Sequence, residues 1–215
     1  MSDQDLYPIR SADQRQFDGA EIDRILALYG FYPVQDASLS ELHSLADSLI
    51  EGDIASEDTL RGVQAATGRS LHLRDANGAP DAFLASIPLT QGGVKALLAG
   101  RFGLASPDMD WLARPGAPAA ALLSWGIGGR SAAGQSAAAR GLIHGWAAVY
   151  HDVPVYTRAR TANGLGFMSR LGFEPVPDQP GGDTLFVSSG LPGRYDRLAL
   201  VPAAQATPIQ KGEAA

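Results

Sequence analysis

Residues 119–173 constrain this chain more than any other stretch, because an apolar run, a glycine cluster, a helical period, a second apolar run and a second helix follow one another there. Residues 119–125 read Ala-Ala-Ala-Leu-Leu-Ser-Trp, uncharged and of strand length, as suits a strand buried on both faces. They run into Gly126, Ile127, Gly128 and Gly129. Residues 135–150 then place Ala138, Leu142, Gly145 and Val149 on one helical face. Residues 152–158 read as a strand and 162–171 as a helix, with Gly172 as its stop.

A buried strand that opens into small residues and then a helix leaves several backbone amides unpaired at the positive end of the helix dipole. Such a spot suits a pyrophosphate. The candidate binding residues are Ile127, Gly128, Gly129, Arg130, Ser131, Ala132, Ala133, Gly134, Gln135 and Ser136. Most are small enough to let an anion reach the backbone, and Arg130 adds a positive charge. The same residues also serve a chain that merely has to turn and seat a helix on a sheet. Gly141 and Gly145, poor helix formers, fit a helix lying close against its neighbour. A third reading starts from Gly126 to Ser131, a near miss to the dinucleotide fingerprint G-x-G-x-x-G/A between a strand and a helix. It makes an NADP-dependent oxidoreductase using Arg158 the rival enzyme class. Against it, the next strand ends without an acidic residue for a ribose, and too little chain follows for a doubly wound sheet.

Upstream, three helices are expected. Asp18 to Glu21 supply a capping box ahead of Ile22, Ile25, Leu26 and Tyr29, and Ser38 to Glu41 repeat it ahead of the stripe Leu39, Leu42, Ala46 and Leu49. Ser56, Glu57 and Asp58 start a third helix that Gly68 ends near Thr67. At residues 70–87 the period changes to alternation around Asn77-Gly78, which predicts a hairpin. Residues 92–114 fit either strand or short helix before a proline-marked loop, and residues 173–176 and 184–188 read as two last strands. The segments 1–17 and 191–215 read as a loosely held lead-in and an unstructured tail around one domain at 18–190.

A formal net charge of -6 argues against nucleic acid as a partner, since an acidic surface repels phosphate backbones. With no cysteine there is no disulfide, thiolate metal site or thiol nucleophile, and four scattered histidines suggest no zinc site. The acidic start, Met1-Ser2-Asp3-Gln4-Asp5, is unlike a secretory signal, and no apolar run approaches the roughly 18 residues that cross a bilayer. The expected location is therefore the cytoplasm, with no membrane partner.

The downstream unit resembles the GNAT acetyltransferases. Ser131-Ala132-Ala133-Gly134-Gln135-Ser136 falls where that family carries its coenzyme A loop, Q/R-x-x-G-x-G/A, and Met168-Ser169-Arg170-Leu171-Gly172-Phe173 where it carries Tyr-x-x-x-Gly-Phe. The resemblance implies an α/β fold with a central mixed, mostly antiparallel sheet flanked by helices on both faces. It implies acetyl-CoA or another acyl-CoA as co-substrate, and attack on its thioester by an amine of a small molecule or peptide. Three departures stand out: Ser131 replaces Gln or Arg, Thr161 and Gly164 replace Asn and Ala at the start of the last helix, and Met168 replaces the tyrosine that can protonate the departing thiolate. Methionine has no proton to give.

Chemistry of this type needs a base for the amine, and no carboxylate sits on 119–125. Tyr156, on the opposite strand face from Val155 and Thr157, and His144, on the helix after the loop, are the catalytic candidates, each also readable as a structural residue. His72 faces either solvent or a cleft, and Arg158 and Arg160 either bind the adenosine phosphate or are solvated. Leu171 and Phe173 are expected in the core. A GNAT-like fold that binds an acyl-CoA or a partner protein without catalysis is the alternative function, and a homodimer is left open.

Overall fold

The hairpin expected at residues 70–87 organises the molecule. In the computed structural model, which describes residues 19–149, 153–159, 161–177 and 184–188, β2 (Leu71–Ala76) and β3 (Ala79–Leu89) pair antiparallel around Asn77-Gly78. Both turn residues have positive φ, 53° and 77°, which asparagine and glycine tolerate best. The lead-in at 1–17, the tail at 191–215, Asp18 and Arg160 lie outside the described residues.

Among the described residues seven strands form one sheet in the order β1-β2-β3-β4-β5-β7-β6, with β1 at Phe31–Pro33, β4 at Ala121–Gly129, β5 at Val155–Arg158, β6 at Glu174–Pro175 and β7 at Leu185–Ser188. Only β4 and β5 run parallel. They are joined by α5 (Ala132–Val149), the connection a parallel pair requires. The expected mixed, mostly antiparallel sheet is thus present, with helices on both faces. One face carries α1 (Gly19–Ala27), α5 and α6 (Ala162–Arg170); Ile22, Leu26, Leu142, Trp146 and Leu171 meet Leu122 and Val155 there. The other carries α2 (Leu39–Leu49), α3 (Glu57–Thr67) and α4 (Gln91–Leu98). Leu171 and Phe173 are core residues as expected, 1% and 9% exposed.

Local chemistry places most boundaries. Ser56 caps α3 by accepting from the Thr59 amide, and Gly68 ends it at φ 78°. Thr161 caps α6 through the Gly164 amide, so the two departures at that helix start form a cap of their own. The box expected at Ser38 is different: its hydroxyl bonds back to Gln35, because a short 3-10 turn at Asp36–Ser38 precedes α2. The ambiguous stretch resolves as a helix, α4, where Thr90 caps Gly93 and Val94, Ala96 and Leu97 are buried. A larger correction concerns Gly126 to Gly129. They continue β4, paired with Ala85 to Ala82, and do not form the turn. A Cβ on Gly128 would lie 2.8 Å from the Phe83 ring and one on Gly126 3.0 Å from it, so the ring fills the space that side chains would need.

Candidate active site

Parallel strands β4 and β5 pair only at Leu122↔Val155, Leu123↔Tyr156 and Ser124↔Thr157. Beyond Ser124, β4 continues to Gly129 beside β3 alone, while β5 ends at Arg158. The strands part, and among the described residues one edge of residues 125–129 is left without a neighbour strand. The parting coincides with a bulge: Ala85 faces Gly126 and Ser86 faces Ser124, so Trp125 is the extra residue. Its indole Nε1 donates to the Leu104 carbonyl at 2.9 Å. That bond ties the loop after α4 to the mouth of the opening.

Between the parted strands lies a cleft of about 250 Å³ that reaches both faces of the sheet. Leu142, Phe167, Met168 and Leu171 wall it on the α5–α6 side, and Leu42, Ala46, Leu49 and Leu60 on the α2–α3 side. Ser124 and Thr157 sit in the middle, both 7% exposed, with the Thr157 hydroxyl donating to the Ser124 carbonyl at 3.2 Å. Arg158 lines the cleft, as do Glu51 and Asp53 on the α2–α3 loop. Met168, standing where the resemblance places a tyrosine, does reach the cleft wall, with a thioether in place of a hydroxyl.

The free edge of β4 leads directly to the start of α5. Ser131 caps this helix: its hydroxyl accepts from the Gly134 amide at 2.9 Å and donates to Asp81 Oδ2 at 3.0 Å. The Asp81 carbonyl accepts the Arg130 amide at 2.7 Å, and Arg74 Nη1 bonds the same carboxylate while its Nε reaches the Tyr29 carbonyl. Gln135 folds back to donate to the Gly129 carbonyl at 3.1 Å. Among the described residues no acceptor faces the amides of Ala132 and Ala133, and both residues are exposed, as are Arg130, Gln135 and Ser136. Two donors at a helix N-terminus, flanked by small side chains and an arginine, can hold an anion.

Of the ten residues expected around a pyrophosphate, Arg130, Ala132, Ala133, Gln135 and Ser136 are exposed at the turn and the first turn of α5, and Ser131 is half-buried. Ile127, Gly128 and Gly129 lie in the strand, Ile127 lining the cleft. Gly134 is buried, and a Cβ there would stand 2.5 Å from Asp81 Oδ2 and 3.0 Å from its carbonyl oxygen. Its smallness serves contact with β3, not approach of a ligand.

The two catalytic candidates lie away from the cleft. Tyr156 is 1% exposed and packed with Leu123, Val187 and Leu97 in the apolar layer under α4, because strand alternation turns it from the face that holds Val155. His144 sits on the outer part of α5, where its Nδ1 bonds the Tyr29 hydroxyl; burial and nearby Arg140 hold its pKa below the usual value.

His72 faces neither solvent nor the cleft. It is buried under α1, Nε2 donating to Asp23 Oδ1 at 2.9 Å, while Asp23 also bonds Arg69. Burial, with Arg69 adding repulsion, pushes its pKa down to about 4. The unfolded chain therefore takes up a proton near 6.5 that the native protein refuses until about 4, so stability falls as pH drops through that window. Urea midpoints at pH 7 and 4.5 should show a loss of up to roughly 3 kcal/mol that His72→Gln largely removes; equal pH dependence in both proteins would contradict this.

Sequence reasoning missed Asp81 and Trp125. A carboxylate immediately before the apolar run at residues 82–85 was the available signal for the first; a bulge has no comparable local mark. Among the described residues no group of His, Asp or Glu could hold a metal ion, and no helix is long and apolar enough to cross a membrane.

No family model and no curated protein matches the chain. Two solved structures are similar to it in shape. One is the ribosomal-protein-S18-alanine N-acetyltransferase from Escherichia coli, 13% identical, with 76% of this chain and 95% of that one covered at a TM-score of 0.45. The other is the histone acetyltransferase HPA2 and related acetyltransferase from Corynebacterium glutamicum, 18% identical, with 75% and 96% covered at a TM-score of 0.45.

Proposed function

We propose that the protein is an acyl-CoA-dependent N-acyltransferase, a divergent member of the GNAT superfamily that transfers an acyl group, most simply acetyl, to an amine. The observation that carries this reading is the parting of β4 and β5 beyond Ser124 and Thr157, which opens an apolar cleft along β4 as far as Ile127 and leaves the rest of that strand edge running on toward the N-terminus of α5. An extended arm bearing amides fits such an edge, because free backbone groups accept a ligand as they would another strand. A pyrophosphate at the other end of that arm fits the amides of Ala132 and Ala133 and the positive charge of Arg130.

The chemistry asks little of side chains. The thioester carbonyl needs a hydrogen-bond donor where negative charge develops, and the backbone of the bulge at Trp125, where the strands part, is the candidate for that donor. Orientation of amine against thioester supplies much of the remaining acceleration. A thiol has an ordinary pKa of about 8.5, so a thiolate departs without a dedicated acid. Met168 thus removes a general acid, typically worth about 10²–10⁴-fold, without removing the reaction. Turnover is expected to be slow, and Met168→Leu is expected to change kcat less than threefold, since the thioether contributes only volume to the cleft wall.

The test is binding and turnover together. Thermal shift should show preferential stabilisation by acetyl-CoA or a longer acyl-CoA over NADPH, and free thiol should appear above hydrolytic background across an amine panel. Binding without turnover would favour the non-catalytic reading that Met168 suggests. An NADPH preference would favour the oxidoreductase, against which stands a sheet whose β5 meets antiparallel β7 where a doubly wound fold needs another parallel strand.

A further inference from the structure

The buried polar groups of the cleft lie on one side of it. Strand alternation puts Ser124 on the face of Leu122 and Thr157 on that of Val155, toward α5 and α6. Both are more than nine-tenths buried, and Thr157 donates its hydroxyl to the Ser124 carbonyl. The Ser124 hydroxyl itself has no hydrogen-bond partner among the described residues. The half that faces α2 and α3 is walled by Leu42, Leu49 and Leu60 from the helices, Phe83 from β3 and Leu104 from the loop that Trp125 anchors. Among the described residues no polar side chain in that half is nine-tenths buried, and the ionisable groups that line the cleft, Glu51, Asp53 and Arg158, are exposed or half-buried. We propose that the acyl donor is a medium-chain acyl-CoA of about six acyl carbons, its thioester accepting the Ser124 hydroxyl and its chain lying in the half under α2 and α3. This deepens the acyltransferase reading and rests on it.

A buried hydroxyl without a partner is costly, and a ligand that brings an acceptor removes the cost. That ligand must carry hydrocarbon beyond its acceptor, because the leucine wall past Ser124 has nothing to bond a second polar group. A thioester with an alkyl chain has this order of groups, and its carbonyl oxygen has lone pairs for both the serine and the bulge backbone. Position agrees with it. Gly129 lies five residues along β4 from Ser124, about 17 Å at roughly 3.3 Å per residue, a span that an extended pantetheine arm covers from the start of α5. Volume sets the chain length. A cavity of about 150 Å³ suffices for benzene, so about 250 Å³ holds a thioester and a chain of about six carbons. An acetyl group would leave most of the apolar half without contacts.

Calorimetric titration of the full chain with acetyl-, butanoyl-, hexanoyl-, decanoyl- and succinyl-CoA tests this. Each methylene up to hexanoyl should tighten binding roughly fourfold, so hexanoyl-CoA should bind roughly thirtyfold or more tighter than acetyl-CoA, with no comparable gain on to decanoyl-CoA. Succinyl-CoA, with the chain length of butanoyl-CoA but a terminal carboxylate, should bind about tenfold weaker than butanoyl-CoA or worse. Ala46→Phe, which fills the apolar half from α2, should erase the preference for hexanoyl-CoA while acetyl-CoA still binds; Leu49→Trp fills the same half should the first variant not fold. Ser124→Ala should weaken the acyl-CoAs about tenfold relative to free CoA, which has no carbonyl, without loss of stability, since no hydrogen bond of the folded chain is removed. Hexanoyl-CoA binding no tighter than acetyl-CoA, a preference that survives the filled cleft, or unchanged thioester affinity in Ser124→Ala would overturn the inference. Failure of every CoA thioester to bind would overturn the acyltransferase reading as well.

Discussion

Gly129→Val is expected to destabilise the protein by about 3 kcal/mol or more and to abolish acetyl-CoA binding. A Cβ at this position would stand 2.5 Å from the Gln135 nitrogen and 2.6 Å from the Gly134 carbonyl carbon. Both are backbone atoms of the first turn of α5, so no rotamer change relieves the clash; the helix start must move away from the end of β4. That movement would also break the bond from the Gln135 side chain to the Gly129 carbonyl and displace the Ala132 and Ala133 amides. Gly166→Ala is the matched control. Nothing lies within 4 Å of a Cβ there, and alanine in a helix interior gains roughly 0.5–1 kcal/mol over glycine. Urea denaturation and acetyl-CoA titration of both variants make the comparison; a Gly129→Val protein with native stability and affinity would refute the proposed junction.

Asp81→Ala is expected to cost about 3 kcal/mol and to weaken acetyl-CoA roughly tenfold. Removing one partner of a largely buried ion pair typically costs about 3–5 kcal/mol, and Arg74, at 20% side-chain exposure, keeps enough water contact to place the loss at the low end. Ser131 loses the acceptor that orients its hydroxyl toward the Gly134 amide, so the turn that presents Ala132 and Ala133 loosens. Adding Arg74→Met separates the two effects. With no uncompensated charge left, most of the stability should return. The affinity should stay low, because the turn still lacks its support. Recovery of both together would mean that Asp81 acts on stability alone, and an Asp81→Ala protein within 0.5 kcal/mol of the parent would show that the pair does not hold the turn.

Local patterns determined a large part of this protein. The alternation around Asn77-Gly78, the cap at Ser56, the apolar stripe of α2 and the order strand, helix, strand, helix after residue 119 each rest on interactions within a few residues, and such interactions are readable from the chain alone. The helix start after β4, with small residues around its first amides, was legible for the same reason: it needs only that helix and its immediate neighbours. Contact across the fold decided the rest. Gly126 and Gly128 look like turn residues until the Phe83 ring is seen to cover them, and Gly134 looks like a ligand contact until Asp81 is seen against it. Strand alternation put Tyr156 on the face away from Val155, and helix packing turned His144 to Tyr29, which took both candidate bases out of the cleft. The cleft itself exists because two parallel strands stop pairing after three residue pairs and one of them bulges at Trp125. Neither event leaves a periodic mark in the chain, since register and the end of pairing are set by the strands on either side.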